Sequence, residues 1–123
     1  MRFSIHALTV LLALMLGTVV PTAAAELVML ERPGCVWCAH FNAEIAPAYP
    51  KTEEGKRAPL RRVDITQQWP ADLEGIPSEK FTPTFILIEQ GKEVGRIRGY
   101  PGSEFFWYLL GDILAKLEPT TSG

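Results

Sequence analysis

Residues 32–41 read "RPGCVWCAHF" and hold both cysteines of the chain, Cys35 and Cys38. Upstream lies "ELVMLE" (26–31), a short apolar run backed by Pro33 and Gly34, which reads as a buried strand. Downstream, from Val36 to about Tyr49, Phe41, Ile45 and Ala48 recur on one helical face, and Pro47 and Pro50 kink or end that helix. Cys35 therefore falls at a helix N-terminus, where orphan N–H groups and the positive end of the dipole favour thiolate over thiol. Cys38 follows one turn later on the same side, within reach of Cys35 or of a mixed disulfide formed there.

Three chemistries fit two such thiols. A structural zinc centre needs about four ligands, and beyond residue 25 the chain offers two Cys and His40, so no metal is expected. A structural staple would close only a short loop, and stabilisation by loop closure grows with loop length. Thiol–disulfide exchange is the favoured use. Soft-metal delivery, with copper(I) as the cargo, and a non-catalytic adaptor with a vestigial dithiol are the alternatives; no Met-rich or additional Cys/His ligand set supports the former.

Outward from the motif, "TEEGKRAP" (52–59) reads as a polar connection and "LRRVDI" (60–65) as a second strand. Residues 67–80 are broken by Pro70, Gly75 and Pro77 and read as irregular. "TFILIE" (84–89) is the strongest strand, and "QGK" turns it into "EVGRIRG" (93–99), an alternating edge strand. A final helix spans 103–117, with Ser103 as cap and Phe106, Leu109, Leu110, Ile113 and Leu117 as its buried stripe. Right-handed crossover makes the first two strands parallel, and the last two form a hairpin. The expected fold is α/β: a four-stranded mixed sheet with helices on both faces.

The first 25 residues stand apart. Arg2 opens a 14-residue uncharged run, Ala7 to Val20, and Ala23 and Ala25 provide small residues at −3 and −1 of a cleavage site. A spanning helix needs roughly 20 apolar residues, so a secretory signal is preferred to a membrane anchor. Residues 26–123 are then one domain in an oxidising compartment, large enough for its own core. Over the whole chain 12 basic residues face 14 acidic ones, which gives no electrostatic reason to expect nucleic acid or an anionic membrane as partner.

The dithiol at a strand-to-helix junction, followed by "FTPTFILIEQGKEVGRIRGYPG" (81–102), resembles the thioredoxin superfamily over nearly all of 27–117. The resemblance implies a trimmed thioredoxin fold lacking the N-terminal strand and helix. It implies a cis-proline at Pro83, beside Thr82, facing the dithiol across a substrate groove whose third wall is Gly99 and Tyr100. More closely, "GCVWCAHFNAEIAPAYPKTEEGKRAPLRRVDI" (34–65) is similar to the short exported thioredoxins of bacterial sulfur-oxidation gene clusters, the SoxS type. That likeness implies a periplasmic reductase with Cys35 as nucleophile and Cys38 as resolving thiol. It further implies a membrane thiol-electron donor, and as target a cysteine of a sulfur-carrier protein or other periplasmic thiols and disulfides. No cofactor beyond the disulfide itself is implied, and a monomer is expected.

Departures from the common pattern bear on the chemistry. Val36 and Trp37 stand between the cysteines, and Met29 occupies the position of the buried acid that assists the resolving thiol. Glu31 or a water would serve instead, or that step is unassisted. Trp37 reads either as a partner contact or as packing on the Pro83 loop. Gly99 reads as a point of close backbone approach, Tyr100 as groove wall or core cover, and His40 as a solvated helical histidine.

Overall fold

The computed structural model describes residues 25–117, together with 17 and 119. The proposed signal segment lies outside the described residues, apart from Gly17 and Ala25. The elements are β1 (Ala25–Glu31), α1 (Val36–Glu44), α2 (Glu53–Arg57), β2 (Leu60–Asp64), β3 (Thr84–Glu89), β4 (Lys92–Arg98) and α3 (Ser103–Leu114). Short 3₁₀ turns occupy Tyr49–Lys51 and Ala71–Leu73.

The sheet order is β2-β1-β3-β4. β1 runs parallel to β2 and antiparallel to β3, and β3 pairs antiparallel with β4, as the crossover and hairpin arguments require. Apolar residues fill β1 and β3 because both faces of these central strands are covered. Leu27, Met29, Phe85 and Leu87 face one layer, whereas Val28, Leu30, Ile86 and Ile88 face the other.

The larger layer gathers α1, α3 and the segment around Tyr49. Phe41 of α1 is fully buried and its ring sits 4.7 Å from Phe85 and 5.2 Å from Phe106 of α3. Burying aromatic rings of this size contributes on the order of 2–3 kcal/mol each. The opposite layer has no long helix. Leu73, Ile76, Val63 and Trp69 from β2 and the irregular stretch after it cover that face, pinned where the Trp69 indole N–H donates to the Leu73 carbonyl at 2.8 Å. The expectation of helices on both faces is thus corrected: both long helices share one face, and only a 3₁₀ turn serves the other.

Three boundaries also differ. The first helix ends at Glu44, with Ile45 as its cap, and the chain passes through turns to Tyr49. The "polar connection" contains α2, capped by the Thr52 hydroxyl accepting from the Gly55 N–H at 3.0 Å. Ser103 is the first residue of α3; Gly102 precedes it as cap and no side chain caps the helix. Among the described residues no helix is long and apolar enough to cross a membrane.

Candidate active site

The turn Arg32-Pro33-Gly34 carries the chain from the end of β1 into α1, and its close is marked by the Cys35 N–H donating to the Arg32 carbonyl at 3.3 Å. Cys35 is the cap residue of α1, in extended conformation (φ −76°, ψ 107°). Its sulfur accepts the Cys38 backbone N–H at 3.1 Å, taking the place that a serine or aspartate oxygen takes at an ordinary helix start. Cys35 and Cys38 are joined as a disulfide, with their Cα atoms 5.2 Å apart. The two sulfurs are unequal: Cys35 is half-buried at the surface, whereas Cys38 is 4% exposed and packs in the core with Phe41.

On one flank of the pair lies an open cleft of about 420 Å³ lined by Glu31, Arg32, Cys35, Cys38 and Asn42 among others. Glu31 reaches it because the strand alternation that buries Leu27 and Met29 brings Glu31 to the same face at the strand end. The register sets Met29 beside Arg62. The Arg62 guanidinium accordingly contacts the Met29 sulfur at 3.6 Å and donates to the Glu31 carboxylate at 2.8 Å.

On the other flank a groove of about 230 Å³ is lined by Trp37, Phe81, Thr82, Arg98, Gly99 and Tyr100. Trp37 and Phe81 are 58% and 51% exposed, large values for aromatic rings at the rim of one depression. Trp37 leans on His40, ring centres 5.1 Å apart. The Arg98 guanidinium lies over the Phe81 ring at 5.3 Å and pairs with Glu79. The Thr82–Pro83 peptide is cis. Pro83 is buried and lines neither depression; its carbonyl accepts the Gly99 N–H at 2.7 Å.

Tyr100 lines this groove and is also buried against the core. Its ring packs edge-on against Phe41 at 5.8 Å, and its hydroxyl donates to the Glu44 carboxylate across 56 residues of sequence. Burial, and then the Glu44 carboxylate, push the Tyr100 phenol up to about 12. His40 is half exposed, with Nδ1 3.8 Å from Glu44, in keeping with a solvated helical histidine.

The structure thus brings Trp37, Thr82, Gly99 and Tyr100 to one groove and the dithiol to the adjoining cleft. Sequence reasoning missed Phe81, Arg98, Arg32 and Asn42 as site-lining residues. Phe81 alone carried a signal, as a large apolar residue two positions before Pro83. Among the described residues no three His, Cys, Asp or Glu side chains are grouped to hold a metal.

No family model and no curated protein matches the chain. Solved structures do. The periplasmic thioredoxin SoxS from Paracoccus pantotrophus, in its reduced form, is 45% identical, with 76% of this chain and 99% of that chain covered and a TM-score of 0.72. The protein Trxlp from Edwardsiella tarda EIB202 is 22% identical over 72% of this chain and 84% of that chain, TM-score 0.57. Fasciola hepatica thioredoxin is 22% identical over 73% and 81%, TM-score 0.53. The latter two share the fold. On the identity with the first, and with its two cysteines spaced and joined at the head of α1, the chain belongs to the thioredoxin superfamily and is a thiol-disulfide oxidoreductase.

Proposed function

We propose that this oxidoreductase works in the periplasm as a reductase, with Cys35 as attacking sulfur and Cys38 as resolving sulfur. The inequality of the two sulfurs carries the reading: Cys35 is reachable at the head of α1, whereas Cys38 is 4% exposed behind it. In the reduced protein the Cys35 thiolate attacks one sulfur of a substrate disulfide. A mixed disulfide forms and the first substrate thiolate leaves. The Cys38 thiolate then attacks the Cys35 sulfur, closing the Cys35–Cys38 bond and releasing the second substrate thiolate. Two electrons pass to the substrate, and a membrane thiol-electron donor restores the dithiol. The Cys38 N–H aimed at the Cys35 sulfur, together with the α1 N-terminus, stabilises negative charge on the attacking sulfur. The redox-active pair needs no other cofactor.

Location and substrate rest on the 45% identity with the periplasmic thioredoxin SoxS and on the signal-like segment 1–25. The targets are protein disulfides or modified cysteines of the periplasm, with a sulfur-oxidation carrier protein as the specific case. The groove walled by Trp37, Phe81 and Gly99 receives the peptide flanking the target sulfur. The test uses two variants and a protein disulfide substrate. Cys38→Ala accumulates a mixed disulfide through Cys35, whereas Cys35→Ala forms none. Equal trapping by both variants, or turnover retained in either, overturns the assignment.

A further inference from the structure

Of the six arginines between residues 25 and 117, the four on the sheet all have carboxylate partners. Arg61 pairs with Glu26 and Asp72, Arg62 with Glu31, Arg96 with Glu79 and Glu93, and Arg98 with Glu79. Arg32 differs. It sits in the turn between β1 and α1, it is exposed, and it lines the dithiol cleft beside Cys35. Among the described residues no carboxylate lies within ion-pair distance of it.

The surroundings leave that charge uncompensated. Glu31 is the cleft's one carboxylate, and Arg62 already holds it at 2.8 Å. The first turn of α1 contains no acidic residue, so the positive end of the helix adds to Arg32. The potential beside the attacking sulfur is therefore positive. The chain as a whole carries a formal charge of −2, so this attraction is local and not a property of the whole surface.

We infer that Arg32 is a specificity residue, selecting target cysteines whose neighbouring residue carries a carboxylate. A substrate chain laid across Cys35 spans the aromatic groove on one flank and the Arg32 cleft on the other. An acidic side chain in the cleft meets an unpaired guanidinium, and a basic one meets a like charge. The inference rests on the proposal that Cys35 attacks peptide sulfurs.

The probe is a set of short peptides, each with a single cysteine held as a mixed disulfide with 2-mercaptoethanol. They are identical except for Glu, Gln or Lys beside that cysteine. Reduced protein is mixed with each, and release of the peptide thiol is followed by rapid quench. The expected order is Glu over Gln over Lys, about three-fold per step, the size of one exposed ion pair. The preference collapses near 1 M salt, where screening acts over about 3 Å. Arg32→Gln brings the Glu-to-Lys ratio to near one, Arg32→Lys keeps it, and Arg32→Glu inverts it. A wild-type ratio of one, or a ratio that survives Arg32→Gln, overturns the inference and leaves the reductase reading standing. Failure to reduce any of the peptides overturns that reading, and the inference with it.

Discussion

Replacing Gly99 with alanine tests how the groove is built. Gly99 has φ +89°, and its N–H holds the Pro83 carbonyl at 2.7 Å. A β-carbon there would lie 3.3 Å from Cε1 of Phe81. Two effects follow. The left-handed backbone costs an alanine roughly 1–2 kcal/mol. The contact is tight, but Phe81 is 51% exposed and can swing away at little energetic cost. The stability loss is therefore about 1–2 kcal/mol, or on the order of 4–16 °C in Tm for a domain near 100 residues. Gly91 is the control: it sits in the two-residue hairpin turn at φ +76°, with nothing within 4 Å of its added β-carbon. Gly91→Ala should lose a similar amount of stability and keep its activity, since only the backbone term applies. Gly99→Ala displaces Phe81 from the groove as well. Its kcat/KM on a peptide disulfide should fall by about ten-fold, short of the hundred-fold that an ångström of misplacement at a reacting centre can cost. Urea denaturation and a coupled thiol-release assay read the two quantities. Stability unchanged in Gly99→Ala, or activity equal to that of Gly91→Ala, refutes the reasoning.

Phe41→Ala should cost about 3–5 kcal/mol, because the ring is fully buried among Phe85, Tyr100 and Phe106; Phe41→Leu should cost well under half of that. Equal losses in the urea midpoints of the two variants would contradict the packing described. Thr52→Ala removes the hydroxyl that caps α2 and should cost about 1 kcal/mol in the same assay, and a neutral result would show the cap to be idle. Alkaline pH supplies a third test. The folded protein holds the Tyr100 phenol at about 12 against an ordinary 10, so it favours the protonated form. The associated stability is complete below pH 10 and is lost as pH rises toward about 12. Burial also raises Tyr49, which acts in the same direction. Tyr100→Phe should flatten the fall in stability over that window without abolishing it, and an unchanged slope would exclude Tyr100 as a source.

The elements that announce themselves in the sequence are those whose burial is dictated locally. "TFILIE" is apolar throughout because β3 is central, and Gln90-Gly91 marks its hairpin through positive φ at both residues. Cys35 and Cys38 were legible for the same reason: the strand, the Pro-Gly turn and the helix start are contiguous. α2 was missed because five residues without an apolar face carry no periodicity, although Thr52 ahead of Glu53 and Glu54, with Lys56 and Arg57 behind, is a fair helix signature by cap and dipole. The shared face of α1 and α3 depends on how side chains from distant segments interlock around Phe41. The Arg62–Glu31 pair requires the β1–β2 register, and the Tyr100–Glu44 bond spans 56 residues. Neither has a local sequence signal. Arg32 has no local signal either: what sets it apart is that no carboxylate among the described residues pairs with it, and only the folded arrangement of Glu31 and Arg62 beside it shows this.

The central claim is that the Cys35–Cys38 pair donates electrons to other proteins' sulfurs. Its most direct test is the reduction potential of the pair in residues 26–123, equilibrated against glutathione and dithiothreitol buffers and read by the fraction of free thiol. The account predicts a value near or below about −230 mV, on the reducing side of the glutaredoxin range. A value near about −120 mV would make the protein an oxidant and contradict the account.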